Sequence, residues 1–551
     1  MIEIEKHTTI GTALLAAADR YADHPLFVVP ENPNRDYDPN GLSLSFAQVA
    51  QQVLQTAQIY QEQGYGFPHH VALFLENQSA HLIHKLALNH IGACCVPVNP
   101  SYKTLELVYL FEHAKPELVV VLDKYLVAVQ VAVEQASHKP HIVPLSQFET
   151  LPAPKQKAQA HTVQSDTPAS ILYTSGTTGK PKGCVLSHRY ELASGDWYAR
   201  KGGLIQIHET QDRLYNPLPL FHINSSVLSF FCMMLTGNCQ IQSDRFQPSR
   251  WWQEVIQTDA SIVHYLGVII PLLLKQPESA LDRQHRVRFG HGAGVEPQLH
   301  ALFEERFGFP LIELWGMTEI VRVFTVNEPP RKVGTRAFGR PVPGMEVKIV
   351  DTEGNEVAKG EQGEMLVRHS EATPRKDFFS GYFNDPEATE KAWRGGWFHT
   401  GDMVYQDEED GMLHFVDRDK NIIRRSGENI AAAEVEALIL THPAVRQVAV
   451  LAAPDPIREA EVLACVELRP EFADQIDAEG AEAAQQLAES IFQHCHQQLA
   501  YYKSPGWLYF IDEIPTTGTQ KIQKHQIFPN IADPTTQAGM IDLRHLKRRG
   551  S

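Results

Sequence analysis

Residues 171–183, reading ILYTSGTTGKPKG, limit what this chain can fold into more than any other stretch. Ile171, Leu172 and Tyr173 have the character of the end of a buried strand. Thr174, Ser175, Thr177 and Thr178 then alternate with Gly176 and Gly179, and Lys180, Lys182 and Gly183 follow. Glycine lets backbone N–H groups turn inward because it has no Cβ. Short hydroxyls and lysine ammonium groups add donors and positive charge. These are the three things a polyphosphate requires of a loop. The spacing differs from a Walker A loop, which places four residues between its first glycine and Gly-Lys-Ser/Thr. Here two residues separate Gly176 from Gly179, and Pro181 follows Lys180. A shorter match would read as an ordinary surface turn.

The chain has 551 residues, enough for several folding units of about 150 residues. Hydrophobic residues at 43% and charged residues at 21% suit a globular chain with a large core. The formal charge of −17 argues against nucleic acid as a main partner while leaving room for a local cationic phosphate site. No apolar run reaches the roughly 18 residues of a membrane span, and the acidic N-terminus lacks a signal-peptide core. Seven cysteines, several in apolar stretches, fit a reducing compartment, so a cytoplasmic location is expected. The run His494-Cys495-His496 has no second ligand pair at zinc spacing and reads as helix surface or core.

Helical and strand patterns alternate from the start to about residue 150. Amphipathic helices are predicted at 12–18 and 46–60, and buried strands at 71–75, 95–98 and 118–122. Residues 152–167 form a Pro-, Gln- and Lys-rich connector. A second α/β run extends to about 325, with strands predicted at 240–242, 262–265, 287–289 and 311–314. From about 335 to 416, frequent Gly and Pro and short alternating runs predict a small antiparallel, barrel-like unit. A compact α+β unit follows Arg418, with helices at 432–441 and ending near 501, and strands at 445–452, 462–468 and 507–511. The expected fold class is therefore α/β, with layered α/β subdomains and a small antiparallel unit at 1–417 and a small α+β domain at 418–551.

Three further runs carry chemistry. Leu314-Trp315-Gly316-Met317-Thr318-Glu319 follows a predicted strand. Its aromatic ring can stack on a base, Thr318 can donate to a phosphate, and Glu319 is a hard oxygen ligand suited to Mg2+. Phe289-Gly290-His291-Gly292-Ala293-Gly294 is glycine-dense and too irregular for a dinucleotide fingerprint. His399-Thr400-Gly401-Asp402 ends in a carboxylate, which can accept two hydrogen bonds from vicinal ribose hydroxyls.

Together, the loop at 173–183 and these runs resemble the adenylate-forming superfamily: acyl- and aryl-CoA synthetases, firefly-type luciferases and carrier-protein adenylation domains. The resemblance covers nearly the whole chain and implies ATP, Mg2+ and CoA as cofactors and substrates. It assigns the nucleotide to the 174–182 loop, Gly292, Ala293, Gly294, Trp315, Gly316, Met317, Asp402 and Arg418. Trp315 stands where the family motif has tyrosine. Lys420 takes the place of the hinge between a large AMP-binding domain and a mobile cap. Ser426-Gly427-Glu428-Asn429-Ile430 resembles the ligase loop that shapes the pantetheine tunnel, with Gly427 and Glu428 in it and Ser426 where many relatives have glycine. Lys521 matches the lysine that bridges the substrate carboxylate and the α-phosphate; Lys524 is its nearest rival. His222 resembles the histidine that gates the acyl pocket.

The implied reaction is a carboxylate attacking ATP to give acyl-AMP and pyrophosphate, then a CoA thiol giving acyl-CoA and AMP. Lys521, Thr318, Glu319 and His222 are the implied catalytic residues. Segments at 417–429 and 455–461 look closest to the crotonobetaine/carnitine–CoA ligase branch. Acyl-pocket stretches are expected at 221–227, 264–268 and 320–324. His222, Asn224, His264, Tyr265 and Arg322 make them polar for a fatty-acyl tunnel, so a small or polar-tailed acid is expected. Arg322 is a candidate partner for a second carboxylate, with an outward-facing arginine as the alternative. The partners are then small molecules, with a homodimer compatible. The rival readings are a stand-alone adenylation protein loading a carrier's phosphopantetheine, a catalytically silent nucleotide-binding scaffold, and luciferase-type oxidation.

Overall fold

The computed structural model describes residues 1–551 apart from 175–180, 352, 419–421, 516–521, 523, 525–526, 530 and 548–551. Its residues group into two compact units, one of 1–100, 110–173 and 183–419, the other of 101–109, 174–182 and 420–551.

Local sequence sets the helices of the first unit. Helix Phe46–Gln63 starts at a capping box in which Ser45 and Gln48 satisfy each other's backbone N–H. It ends at Gly64, in the left-handed region at φ 98°. Between these stops it buries Phe46, Val49, Ala50, Val53, Ala57 and Tyr60, the three- and four-residue spacing of one helix face. Helix Ile10–Arg20 is capped in the same way by Thr9 and Thr12.

Two sheets are built on these helices. In the seven-stranded sheet, His70–Phe74, Cys94–Pro97 and Leu118–Val121 pair in parallel and are almost wholly buried, as expected for strands covered on both faces. The eight-stranded sheet contains Arg213–Asn216, Cys239–Gln242, Ile262–Leu266, Phe289–Ala293 and Leu311–Trp315, all parallel. The N-terminal hairpin Pro25–Val29 and Leu42–Ser45 joins this second sheet by pairing beside Cys239–Gln242.

The strand expected at 287–289 lies later, at Phe289–Ala293, so the glycine-dense run is itself a strand. Its glycines serve close packing. A Cβ on Gly290 would meet Leu311 Cδ2 at 2.8 Å, and one on Gly292 would meet the Tyr265 carbonyl oxygen at 2.2 Å. The unit expected at 335–416 is a five-stranded antiparallel sheet with Ala337–Gly339 and Glu346–Val350 at its two edges. It is an open sheet and does not close into a barrel.

The second unit carries a six-stranded sheet in which Val445–Asp455 and Glu459–Leu468 form a long antiparallel pair. Helices Ala432–Ile439 and Ala481–Gln498 contribute Val435, Ile439, Ile491 and Phe492 to its core. Beside that core Glu461, fully buried, accepts from Arg425 Nε at 2.8 Å and pairs with Lys547. Burial brings the Lys547 ammonium down to about 7 against the pull of Glu461.

The first unit also buries charge and imidazole. Lys85 and Glu191 form an ion pair of 2.5 Å with both side chains fully buried, and Ser170 donates to the same carboxylate. His84 meets the Tyr60 hydroxyl at 2.9 Å, and His188 Nδ1 accepts the Ile10 N–H at 3.0 Å. Burial lowers His81, His84 and His188 to about 3. A histidine with a folded pKa below its unfolded value of about 6.5 stabilises the fold above that value. The contribution drains away as pH falls toward about 3, by about 1.4 kcal/mol per histidine per pH unit. Denaturant midpoints measured from pH 7.5 down to pH 5 should therefore fall steeply, and His84→Gln should flatten the slope. A midpoint independent of pH over this range would contradict the burial of neutral imidazoles.

Candidate functional site

Strands Phe289–Ala293 and Leu311–Trp315 run parallel with Gly292 opposite Glu313, so their carboxyl ends lie side by side. Ligands of open α/β sheets bind beyond such ends. Here the chain emerges as Ala293-Gly294 from one strand and as Gly316 to Glu319 from the other. Gly294 and Gly316 are exposed, and Ala293, Met317 and Thr318 are half-buried. Gly294 has φ 86°, a conformation that favours glycine. A Cβ on Gly316 would meet Val323 Cγ1 at 2.4 Å, so only glycine fits there without a shift.

A residue that sequence reading missed holds this end in place. The buried Glu313 carboxylate accepts the Gly294 N–H at 2.9 Å, the Val295 N–H at 3.4 Å and the Tyr265 hydroxyl at 2.6 Å. Burial outweighs these hydrogen bonds and lifts Glu313 to about 7. A carboxylate inside the apolar strand Leu311–Trp315 was the signal for it.

The Trp315 indole N–H donates to Asp402 Oδ2 at 2.8 Å, with both side chains buried. Asp402 sits in strand Phe398–Gln406, and its N–H donates to Thr400 Oγ1 at 3.1 Å. Two runs 87 residues apart thus meet through one hydrogen bond. The indole N–H supplies a polar contact at a position where the family motif carries a phenol. Arg418 ends the neighbouring strand Leu413–Arg418, with its backbone opposite Asp402.

Glu319 is buried at 5% exposure, and its Oε1 accepts the Tyr382 hydroxyl at 2.8 Å. The Tyr190 hydroxyl holds the Thr318 carbonyl at 2.9 Å, and the Phe379 N–H holds that of Glu319 at 3.0 Å. The 317–319 turn is therefore fixed from three directions. Hard carboxylate oxygen beside a threonine hydroxyl is a donor set that fits Mg2+.

In the acyl-pocket stretches, His222 is half-buried, its ring tilted against that of Phe221 with centroids 4.5 Å apart. A π-helix spans Asn224–Ser229, a form often found at functional sites. His264 Nδ1 lies 2.8 Å from Asn224 Oδ1, so these two candidates meet. Tyr265 faces the opposite side of its strand, toward Glu313. Arg322 is tied to Asp377 at 2.8 Å and to the Gly344 carbonyl at 2.8 Å, which removes it as the partner of a second substrate carboxylate.

In the second unit, the Thr174 hydroxyl donates to the Lys182 carbonyl at 3.5 Å across the mouth of the signature loop. Ser426 and Gly427 form the two-residue turn between strands Ile422–Arg425 and Glu428–Ala431, with Arg425 opposite Glu428. Both turn residues have positive φ, 53° and 84°, the signature of a type I′ turn. That explains the preference for glycine at 426. Ser175, Gly176, Thr177, Thr178, Gly179, Lys180, Lys420 and Lys521 lie outside the described residues.

Trp315→Phe keeps a ring and deletes the donor to a buried carboxylate. It is expected to lower stability by about 1–3 kcal/mol, read as a lower denaturant midpoint. An unchanged midpoint would show that the hydrogen bond to Asp402 contributes nothing.

An AMP-binding enzyme family model matches residues 14–383, and an AMP-binding enzyme C-terminal domain model matches 434–521. The chain is 30% identical over 504 residues to a crotonobetaine/carnitine–CoA ligase of Proteus mirabilis, covering 87% of this chain and 92% of that protein. It is 29% identical over 533 residues to a sulfoacetate–CoA ligase of Cupriavidus necator, covering 95% and 98%. Its fold resembles a double mutant of the o-succinylbenzoate CoA synthetase of Bacillus subtilis, with TM-score 0.78, 24% identity and coverage of 93% and 97%. With its larger family model spanning well over half the sequence and the nucleotide-type strand ends in place, the chain belongs to the AMP-binding enzyme family.

Proposed function

We propose that this chain is an ATP-dependent carboxylic acid–CoA ligase of the AMP-forming type. The observation that carries the reading is the strand-end cluster of Gly292–Gly294, Trp315–Glu319 and Asp402 in a chain whose relatives are named as CoA ligases. Asp402 receives the ribose hydroxyls, oriented by Trp315. Gly292, Ala293 and Gly294, held by Glu313, border the adenine together with Trp315, Gly316 and Met317. Thr318 and the loop from Thr174 through Ser175, Gly176, Thr177, Thr178, Gly179 and Lys180 to Lys182 contact the phosphates. Glu319 would hold Mg2+, which supplies positive charge against the phosphate oxygens when bound.

The reaction divides into two steps. The substrate carboxylate attacks the α-phosphorus and pyrophosphate leaves, with negative charge growing on the phosphoryl oxygens. The Lys521 ammonium neutralises that charge and aligns the attacking oxygen. The CoA thiol then attacks the acyl carbon, AMP leaves, and the thiol proton passes to solvent. Lys521 has no task in this step. A large AMP-binding domain at 1–417 and a cap at 418–551, turning at Lys420, would separate the two steps. Arg418 then contacts the nucleotide, Gly427 and Glu428 line the pantetheine path, and His222 gates the acyl pocket.

The acid is small or polar-tailed. Tyr198, Ser225, Gln240, Gln242 and His264 are buried, hydrogen-bonded polar groups behind the pocket stretches, which supports a polar setting rather than a fatty-acyl tunnel. CoA is the acceptor; acyl transfer to a carrier's phosphopantetheine is the alternative, separated by supplying CoA alone. Free, buried cysteines fit a reducing cytoplasm. No helix among the described residues is long and apolar enough to cross a membrane.

A pyrophosphate-release screen across carboxylic acids should find turnover that requires ATP, and acyl-CoA should form when CoA is added. Lys521→Ala should lose adenylation by about 100-fold or more, the scale of removing one charge-stabilising group. The same variant should convert a supplied acyl-AMP with CoA within about threefold of the native rate. Normal adenylation by Lys521→Ala would contradict the role given to that lysine.

A further inference from the structure

The orientation of one side chain in the acyl-pocket region is fixed by a chain of hydrogen bonds that begins at the backbone. The Leu218 N–H donates to Asn216 Oδ1 at 2.9 Å, so the other end of the Asn216 amide must be its nitrogen. That nitrogen donates to Ser229 Oγ at 2.9 Å and to Asn224 at 3.1 Å, so the atom of Asn224 facing it must be oxygen. The same oxygen lies 2.8 Å from His264 Nδ1, so His264 carries its proton there. His264 is fully buried and neutral, and its Nε2 then accepts the Tyr198 hydroxyl at 3.1 Å. Asn216, Ser229, His264 and Tyr198 have almost no exposed surface, so the network is shielded from competing water.

With its oxygen held from two sides, Asn224 turns its NH2 group away from the network. That nitrogen has no hydrogen-bond partner among the described residues. Asn224 is half-buried, as are Phe221, His222 and Ile223 before it, whereas Ser225 to Ser229 after it are buried. Asn224, the first residue of the π-helix, thus borders accessible space and presents a donor pair there. Such a group complements an oxygen acceptor and offers nothing to an alkyl tail or a quaternary ammonium.

We propose that Asn224 is a specificity-determining residue whose amide NH2, oriented by Asn216 and His264, binds an oxygen acceptor in the tail of the substrate acid; this rests on the ligase reading above. The substrate class is then a carboxylic acid with a ketone, hydroxyl, carboxylate or sulfonate oxygen on its acyl chain. His264 and Tyr198 are positioning residues that act through Asn224.

The test uses the full chain with ATP, Mg2+ and CoA. Acids are offered in matched pairs with a ketone oxygen or a methyl group at the same carbon, such as levulinate and isocaproate, over a series of chain lengths. A sulfonate-tailed and a trimethylammonium-tailed acid are added at each length. The ketone or sulfonate acid should exceed its alkyl and ammonium counterparts in kcat/KM by about 10- to 100-fold at one length, the scale of one hydrogen bond to a site that otherwise stays unpaired. Asn224→Asp keeps the oxygen that Asn216 and His264 address and replaces the donor by an acceptor. It should abolish that preference while leaving the KM for ATP unchanged. Asn224→Ala removes the donor without adding charge and should also erase the preference. Equal turnover of both members of every pair, or a preference that survives in both variants, overturns the proposal and leaves the ligase reading standing. Absence of pyrophosphate release by the native chain with every acid overturns the ligase reading and the proposal with it.

Discussion

The hydrogen bond from the Trp315 indole to Asp402 is the contact on which the site depends. It joins the carboxyl end of a parallel strand to a strand of a separate antiparallel sheet. It gives those two runs a direct polar link. Two neighbouring carboxylates are handled in the same way. Glu313 takes a hydroxyl from Tyr265, and Glu319 takes one from Tyr382. A neutral aromatic donor orients a carboxylate without cancelling its charge. That suits Asp402 for ribose hydroxyls and Glu319 for a divalent cation. It suits Glu313 for backbone N–H groups, with burial raising its pKa to about 7.

Much of this was legible because short motifs carry their own chemistry. The runs at 289–294, 314–319 and 399–402 stood out by residue type and by their resemblance to a family, and the buried strands by their apolar continuity; the structure brings Trp315 and Asp402 together. What sequence could not reveal was long-range pairing. The hairpin of Pro25–Val29 and Leu42–Ser45 crosses to the second sheet, and nothing in those residues specifies Cys239–Gln242 as their neighbour. Gly290 and Gly292 lie within a strand, where the Leu311 side chain and the Tyr265 backbone occupy the space a Cβ would need, a reason for glycine that local sequence does not show. Strand alternation separates His264 from Tyr265, which a list of polar residues in one stretch cannot express. Arg322 failed as a substrate partner because Asp377, distant in sequence, had already claimed it.

The acyl-pocket network follows the same logic as the nucleotide end. A backbone N–H at Leu218 sets the direction of Asn216, which sets Asn224, which sets the tautomer of His264. At both ends neutral hydrogen-bonding groups, Trp315 and Tyr382 at one and Asn216 and His264 at the other, hold a polar side chain in a fixed orientation. The fully buried Lys85–Glu191 pair, remote from these runs in sequence, is an ion pair internal to the first unit. The preorganised neutral groups cost little to align when a ligand arrives, because their partners already fix their rotamers.

The most direct test of the account is the product balance of a single reaction containing the chain, ATP, CoA and an accepted acid. Equal amounts of AMP, pyrophosphate and acyl-CoA are predicted, with pyrophosphate release preceding any requirement for CoA. Formation of ADP and inorganic phosphate would contradict an acyl-adenylate route.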